Sequence, residues 1–288
     1  MAALGAIPRR LALRVGARIG DAFYLFDARD RKVALQNLKR AFPDKSEPER
    51  REIVRRSYRN LGRLLAEVCH FRSLTPENID RFVTIDDPGY WREGLRRAQR
   101  TGVIVLTAHF GNFELLAYSQ GLAGNPITLA HRTMHNPLVD QFILDMRAPA
   151  GTRSIPKKMA ARELLRALRN QRPIALLADQ NQTANAGVFV NFFGTPACTT
   201  PGPARLAMHT GAPIIPVFLV RKGESEHHRL IAYPEIEVAD SGDQVADIIE
   251  TTERCNRAIE RALTEHPDHW IWFHKRWKTR PEGEPRLY

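Results

Sequence analysis

The stretch Thr107-Ala108-His109-Phe110-Gly111-Asn112-Phe113-Glu114 sets an imidazole and a carboxylate across what reads as a strand-to-helix turn. A carboxylate in the first turn of a helix is favoured in its ionised form. It can hold one imidazole N–H while the other ring nitrogen takes a proton. That arrangement makes His109 a general base toward a hydroxyl, with Glu114 orienting and supporting it. A core histidine capped by a carboxylate uses the same two residue types, so the pair needs further residues before it defines an enzyme.

The elements that must position the pair are legible on either side of it. Gly102-Val103-Ile104-Val105-Leu106 is a short, apolar, β-branched run, the pattern of a strand buried on both faces. Beyond it, Gly111 suits a tight turn, Asn112 is a good N-cap, and Phe113, Leu115, Leu116 and Tyr118 give the next helix an apolar face. His109 therefore sits at the carboxyl end of a strand, the edge where open α/β sheets bind ligands.

From Phe82 onward, strands near 82–86, 102–107, 126–131, 173–178, 213–220 and 229–233 alternate with helices near 88–99, 112–122, 137–147, 158–170, 201–210 and 244–265. This predicts an α/β fold with a largely parallel central sheet flanked by helices. Upstream, Ser46-Glu47-Pro48-Glu49 reads as a capping box opening a helix that runs to about His70. The expected division is a helical N-terminal extension over 1–80, in contact with a membrane surface, and an α/β domain over 81–288. Residues 181–200 read as a long loop of the kind that forms lids or binding surfaces. Its Phe189, Val190, Phe192 and Phe193 either line an apolar channel or fill core.

Composition narrows the partners. The 288 residues carry 43 Lys and Arg against 32 Asp and Glu, a net charge of +11, which favours an anionic partner: nucleic acid, a membrane surface or an acidic carrier protein. No helix-turn-helix, RRM, KH or finger pattern occurs, so nucleic acid is set aside. Hydrolase signatures such as GxSxG or HExxH are likewise absent. Cys69, Cys198 and Cys255 are odd in number and widely spaced, which fits a reducing compartment and argues against a zinc site. No apolar run is long enough to span a bilayer. Between Leu4 and Leu25, however, Arg9, Arg10, Arg14 and Arg18 lie largely to one side of a helix carrying Leu11, Val15, Ile19, Phe23 and Phe26. That profile fits a helix lying on anionic lipid, and equally an amphipathic helix packed on the domain.

Taken together, His109-Phe110-Gly111-Asn112-Phe113-Glu114 resembles the HxxxxD/E motif of the glycerolipid acyltransferase superfamily, in the form found in lipid A biosynthesis lauroyl/myristoyl acyltransferases. Further blocks agree in order: Asn37 to Pro43, Asp179-Gln180, Gly187 to Gly194, Gly211 to Val217, and Trp270 to Lys278. The resemblance covers about residues 30–281. It implies transfer of a fatty acyl chain from an acyl carrier protein or CoA thioester to a hydroxyl of a lipid A precursor, with no metal or organic cofactor. Another glycolipid acceptor, such as a phosphatidylinositol mannoside, is the alternative. The N-terminal segment departs from the hydrophobic anchor often seen in that family, being shorter and richer in arginine, so peripheral attachment to the cytoplasmic face of the inner membrane is expected rather than insertion. With His109 and Glu114 as the catalytic pair, the expected substrate-contacting residues are Asn112, Arg132, Asp179 and Gln180. Arg132 would bind a phosphate or steady charge on the thioester oxygen, and Asp179 and Gln180 would hydrogen-bond substrate or organise the loop. Cys198 is read as a small buried residue rather than a nucleophile. The cationic, tryptophan-rich stretch 270–278 suits lipid headgroups and also nucleic-acid stacking, with at least one tryptophan expected on the sheet.

Overall fold

A computed structural model describes residues 2–288. Four helices come first: α1 (Ala2–Gly5), α2 (Arg9–Phe26), α3 (Ala28–Ala41) and α4 (Glu47–Val68). The α/β part follows as β1 (Val83–Asp86), α5 (Tyr90–Thr101), β2 (Val103–Thr107), α6 (Phe113–Leu122), β3 (Thr128–His131), α7 (Pro137–Arg147), β4 (Arg153–Pro156), α8 (Ala160–Arg169), β5 (Pro173–Leu177), β6 (Val188–Phe192), β7 (Thr195–Thr199), α9 (Gly202–Thr210), β8 (Ile214–Arg221), β9 (His228–Ala232) and α10 (Gln244–Glu265). The main sheet has seven strands in the order β1-β9-β8-β2-β5-β3-β4, and every neighbouring pair is parallel except β8 and β9. The carboxyl ends of β8, β2, β5, β3 and β4 thus share one edge.

The strand read around residues 102–107 lies in the middle of this sheet and is buried throughout. Its side chains alternate between two cores. Ile104 and Leu106 join one that also takes Leu38 from α3 and Val54 and Tyr58 from α4, whereas Val103 and Val105 join one with Trp91, Leu115 and Tyr118. The N-terminal helices therefore share a core with the sheet.

Three strands escape the sequence pattern. β4 is a short, largely exposed edge strand ending in proline, too brief to show a period. The expected loop over 181–200 contains instead the antiparallel hairpin β6–β7. Its two-residue turn places both Phe193 and Gly194 at positive φ, 50° and 69°. Asparagine or aspartate usually holds the first of these positions, and a phenylalanine there hides the turn from a sequence reading. Val190 and Phe192 are buried, so this segment fills core. The tryptophan-rich stretch does the same. Trp270, Trp272 and Trp277 are all buried, and Phe192 packs against Trp270 and Trp277. Arg276, also buried, donates to the Cys198 carbonyl and the Thr199 hydroxyl of β7. These side chains lock the hairpin to the body of the protein and are not available to headgroups.

α2 packs on the domain and still leaves an apolar stripe open. It packs on α4 through Ala12, Leu13, Gly16, Ala17 and Gly20, while Leu11, Val15, Ile19, Phe23 and Phe26 remain exposed, Phe26 at 87%. The large apolar side chains are not the packing face. Among the described residues no helix is long and apolar enough to cross a membrane.

Candidate active site

Strand register assembles the centre of the site. In the parallel pair β2–β5, Thr107 lies opposite Leu177. Two residues further on, His109 and Asp179 again face each other, just beyond the carboxyl edge. The His109 Nδ1 lies 3.0 Å from Asp179 Oδ1, and the His109 backbone N–H donates to Asp179 Oδ2 at 3.0 Å. Trp270 Nε1 donates to the same Oδ2 at 2.7 Å.

Asp179 is almost wholly buried. Burial alone would raise its pKa, but the charge and hydrogen bond of His109, with the Trp270 and backbone donors, hold it down to about 2. For His109, burial opposes the imidazolium and is outweighed by Asp179 and, through its charge, by Glu114, so the ring titrates above its ordinary value. An ionised Asp179 accepts the Nδ1 proton and leaves the Nε2 lone pair as the basic site of the neutral ring. The ring is 26% exposed, and the Gln180 amide approaches Nε2 at 3.3 Å. Phe113 sets its ring edge-on to the imidazole at 5.3 Å.

The turn after His109 is pinned from several sides. Gly111 has φ of +54° and donates its N–H to the His269 carbonyl at 2.7 Å, and a Cβ there would lie 1.9 Å from the Leu219 carbonyl oxygen. No residue but glycine fits. Asn112 caps α6 by accepting the Leu115 N–H, and its amide donates to Glu67 at 2.7 Å. Glu67, on α4, is fully buried and also takes a fork from Arg221 at the end of β8, with Arg9 at 3.4 Å and His228 at 3.5 Å. Burial would raise its pKa, and His228 and Arg221 keep it well below the usual carboxylate range. This buried cluster ties α2, α4 and β8 to the N-terminus of α6.

Glu114 lies where the sequence put it, in the first turn of α6, but its hydrogen bonds go elsewhere than expected. Both oxygens accept from Arg147, at 2.8 and 2.6 Å, and Arg147 also donates to Ser154. The imidazole N–H is held by Asp179, for which the sequence suggests substrate or the following loop. Asn112, expected on substrate too, has both ends of its amide engaged within the protein. Arg132 is exposed just past the end of β3, on the same edge as His109, with Met134, Leu138 and Val139 also exposed beside it. Cys198 is buried in β7, and burial pushes its thiol up.

The partners that sequence reasoning missed are distant ones. Arg147 carries no spacing signal relative to Glu114. His274 accepts the Asn181 N–H at 3.0 Å just after Gln180, and burial depresses it to about 4. Asn37 donates to the Trp272 and His274 carbonyls, which explains why the segment from Asn37 to Pro43 and the C-terminal block occur together.

A family model described as bacterial lipid A biosynthesis acyltransferase matches residues 1–279. The chain is 27% identical over 283 residues to a lipid A biosynthesis lauroyltransferase of Escherichia coli, covering 98% of this chain and 90% of that protein. It is 27% identical to a palmitoleoyltransferase of the same pathway and organism, with the same two coverages, and 26% identical to a myristoyltransferase, covering 100% of this chain and 87% of the relative.

Proposed function

Since the chain belongs to the bacterial lipid A biosynthesis acyltransferase family and transfers acyl chains to a lipid A precursor, we propose that His109 is the general base of this transfer and Asp179 its brace. The acceptor hydroxyl gives its proton to His109 Nε2 as its oxygen attacks the thioester carbonyl. The imidazolium is stabilised by Asp179 and, at longer range, by Glu114. The tetrahedral intermediate then expels the thiolate, which recovers the proton from His109, so no acyl-enzyme forms. The observation that carries this reading is the 3.0 Å contact between His109 Nδ1 and a buried Asp179, which fixes the tautomer with a basic Nε2.

In this scheme Glu114 acts through Arg147, fixing that guanidinium beside the site, where it can meet charge developing on the thioester oxygen. Asn112 sets the turn. Arg132 and Gln180 are the proposed contacts to substrate, Arg132 to a phosphate or the thioester oxygen and Gln180 to the reacting hydroxyl. The donor is an acyl carrier protein or acyl-CoA, with the net charge of +11 favouring the acidic carrier. The enzyme sits peripherally on the cytoplasmic face of the inner membrane, held by the exposed stripe of α2 and its arginines. The test is transfer from acyl carrier protein and acyl-CoA thioesters to a lipid A precursor by the purified protein, read by mass spectrometry. One added acyl ester, absent with His109→Ala, supports the reading. Unchanged precursor with both donors, under conditions where the protein is folded, overturns it.

A further inference from the structure

The carboxyl edge of the sheet also carries a concave feature lined by none of the residues placed in the proposed transfer. α2, α4 and the loop between β8 and β9 enclose a cleft of about 530 Å³, walled by Arg10, Arg14, Arg18, Arg59 and Arg63, with Glu224 and Glu226 on the loop side. β8 runs parallel to β2, so this loop leaves the sheet on the edge that bears His109. The volume lies in the range of small-molecule sites.

Positive charge in the cleft exceeds what its carboxylates neutralise. Glu224 serves both Arg59, at 3.0 Å, and Arg63, at 2.6 Å, and Glu226 serves Arg10 at 3.0 Å. Asp21 lies 3.6 Å from Arg18 and 3.8 Å from Arg59 but is hydrogen-bonded by Arg55, outside the cleft. Arg14 has no ion-pair or hydrogen-bond partner among the described residues, and the buried Nε of Arg59 lacks a hydrogen-bond acceptor. Arg63 is depressed by burial, which Glu224 offsets only in part and Arg221 and Arg59 reinforce. Glu224 itself is 67% exposed, so its carboxylate can be displaced toward solvent without a desolvation cost.

Placement on α2 says where the ligand comes from. Arg10, Arg14 and Arg18 recur every four residues, and Leu11, Val15 and Ile19 of the exposed apolar stripe follow each by one residue, so row and stripe run side by side. A helix whose stripe lies in the acyl boundary of a bilayer holds the adjacent arginines at headgroup depth. Guanidinium forks match phosphate oxygens, and a phosphomonoester offers more charge and more free oxygens than a diester.

We propose that this cleft binds the phosphomonoester headgroup of a lipid, entered from the membrane surface, with the Glu224 carboxylate as a stand-in that the phosphate displaces. The proposal rests on the membrane-surface reading of α2 and is tested separately from it. Binding is measured to phosphatidylcholine vesicles containing phosphatidic acid or charge-matched phosphatidylglycerol, and by calorimetry to soluble dihexanoyl phosphatidic acid and to inorganic phosphate. The expected result is about tenfold tighter binding to phosphatidic acid vesicles, the scale of one charge-assisted contact. Arg14→Gln/Arg59→Gln removes the preference, and Glu224→Gln widens it. Arg14 is exposed, so Arg14→Gln alone, with a reduced preference, is the variant whose folding is not at risk.

Measurable binding of equal affinity to the two kinds of vesicle overturns the proposal, as does a preference that survives both arginine variants. Inorganic phosphate binding as tightly as dihexanoyl phosphatidic acid overturns it too, by making the cleft a site for free anions. Dihexanoyl phosphatidic acid that binds to wild type and fails with Arg14→Gln supports the cleft even if the protein ignores bilayers, in which case only the membrane reading falls. His109→Ala is expected to keep the phosphatidic acid preference intact.

Discussion

Asp179→Asn changes one atom and almost no volume, yet the hydrogen bonds around the carboxylate leave an amide no good placement. Oδ2 accepts from two donors, the part-buried His109 backbone N–H at 3.0 Å and the buried Trp270 Nε1 at 2.7 Å, while Oδ1 faces His109 Nδ1 at 3.0 Å. With the new NH₂ on the Oδ2 side, both donors lose their acceptor, at about 1–3 kcal/mol each. With it on the Oδ1 side, only the ring is affected, and the ring answers by moving its proton from Nδ1 to Nε2. The second placement is therefore the cheaper, and it puts a proton on the nitrogen that must accept one.

The expected consequence is a fall in kcat of about 10³–10⁴-fold, the scale on which a wrong histidine tautomer acts. Stability moves as well. A folded pKa of about 2 against an ordinary 3.8 contributes about 2 kcal/mol at neutral pH. Because that pKa is depressed, the contribution is present above pH 3.8 and disappears as pH falls toward 2. The difference in melting temperature between wild type and variant should shrink accordingly in acid. The assay is transfer from a fixed thioester donor across pH. His109 works as a base only when neutral and its pKa is raised, so the acid limb of kcat/KM for the wild type lies above the ordinary 6.5. The residual activity of Asp179→Asn shows a limb at lower pH. A variant within tenfold of wild-type kcat, with an unmoved acid limb, refutes the assignment of Asp179 as the brace.

His109→Ala and Glu114→Ala are each expected to abolish transfer while circular dichroism stays native, and near-normal turnover by either removes that residue from the mechanism. Since both Glu114 oxygens are held by Arg147, Arg147→Ala should also lower transfer steeply, and near-normal turnover would show that Glu114 acts without it. Gly111→Ala combines a positive φ with a Cβ 1.9 Å from a carbonyl oxygen, and the loss should be on the order of 3 kcal/mol in denaturant titration. An unchanged midpoint contradicts the tight-turn argument. On anionic vesicles, raised salt should release the protein, and Phe23→Ser/Phe26→Ser should weaken binding at least about tenfold through lost apolar burial. Indifference to both treatments excludes α2 as the membrane contact.

The parts of this molecule legible in the sequence are those specified locally. β2 announces itself because a strand buried on both faces must be apolar throughout, and the turn after it because Gly111 and Asn112 do jobs that few residues can do. The expected strands and helices around them recur within a residue or two. β6–β7 stayed hidden because Phe193 occupies a position where a turn residue belongs. β4 stayed hidden because four residues at a sheet edge need no apolar pattern.

Which groups meet was decided by the tertiary structure. His109 and Asp179 are 70 residues apart and come together through the register of two parallel strands, a relation with no sequence spacing to betray it. The same holds for Glu114 and Arg147, and for Asn112, Glu67 and Arg221, which lie on separate elements and are joined only when those elements pack. Composition spoke for lipid in the tryptophan-rich stretch and for either lipid or core in α2. Packing buried the first and left the stripe of the second in the open, because the small residues of α2, and not its large ones, fit against α4. A sequence determines periodicity, caps and turns through neighbours along the chain, whereas the pairing of charges across the chain exists only once the sheet has set its strands side by side.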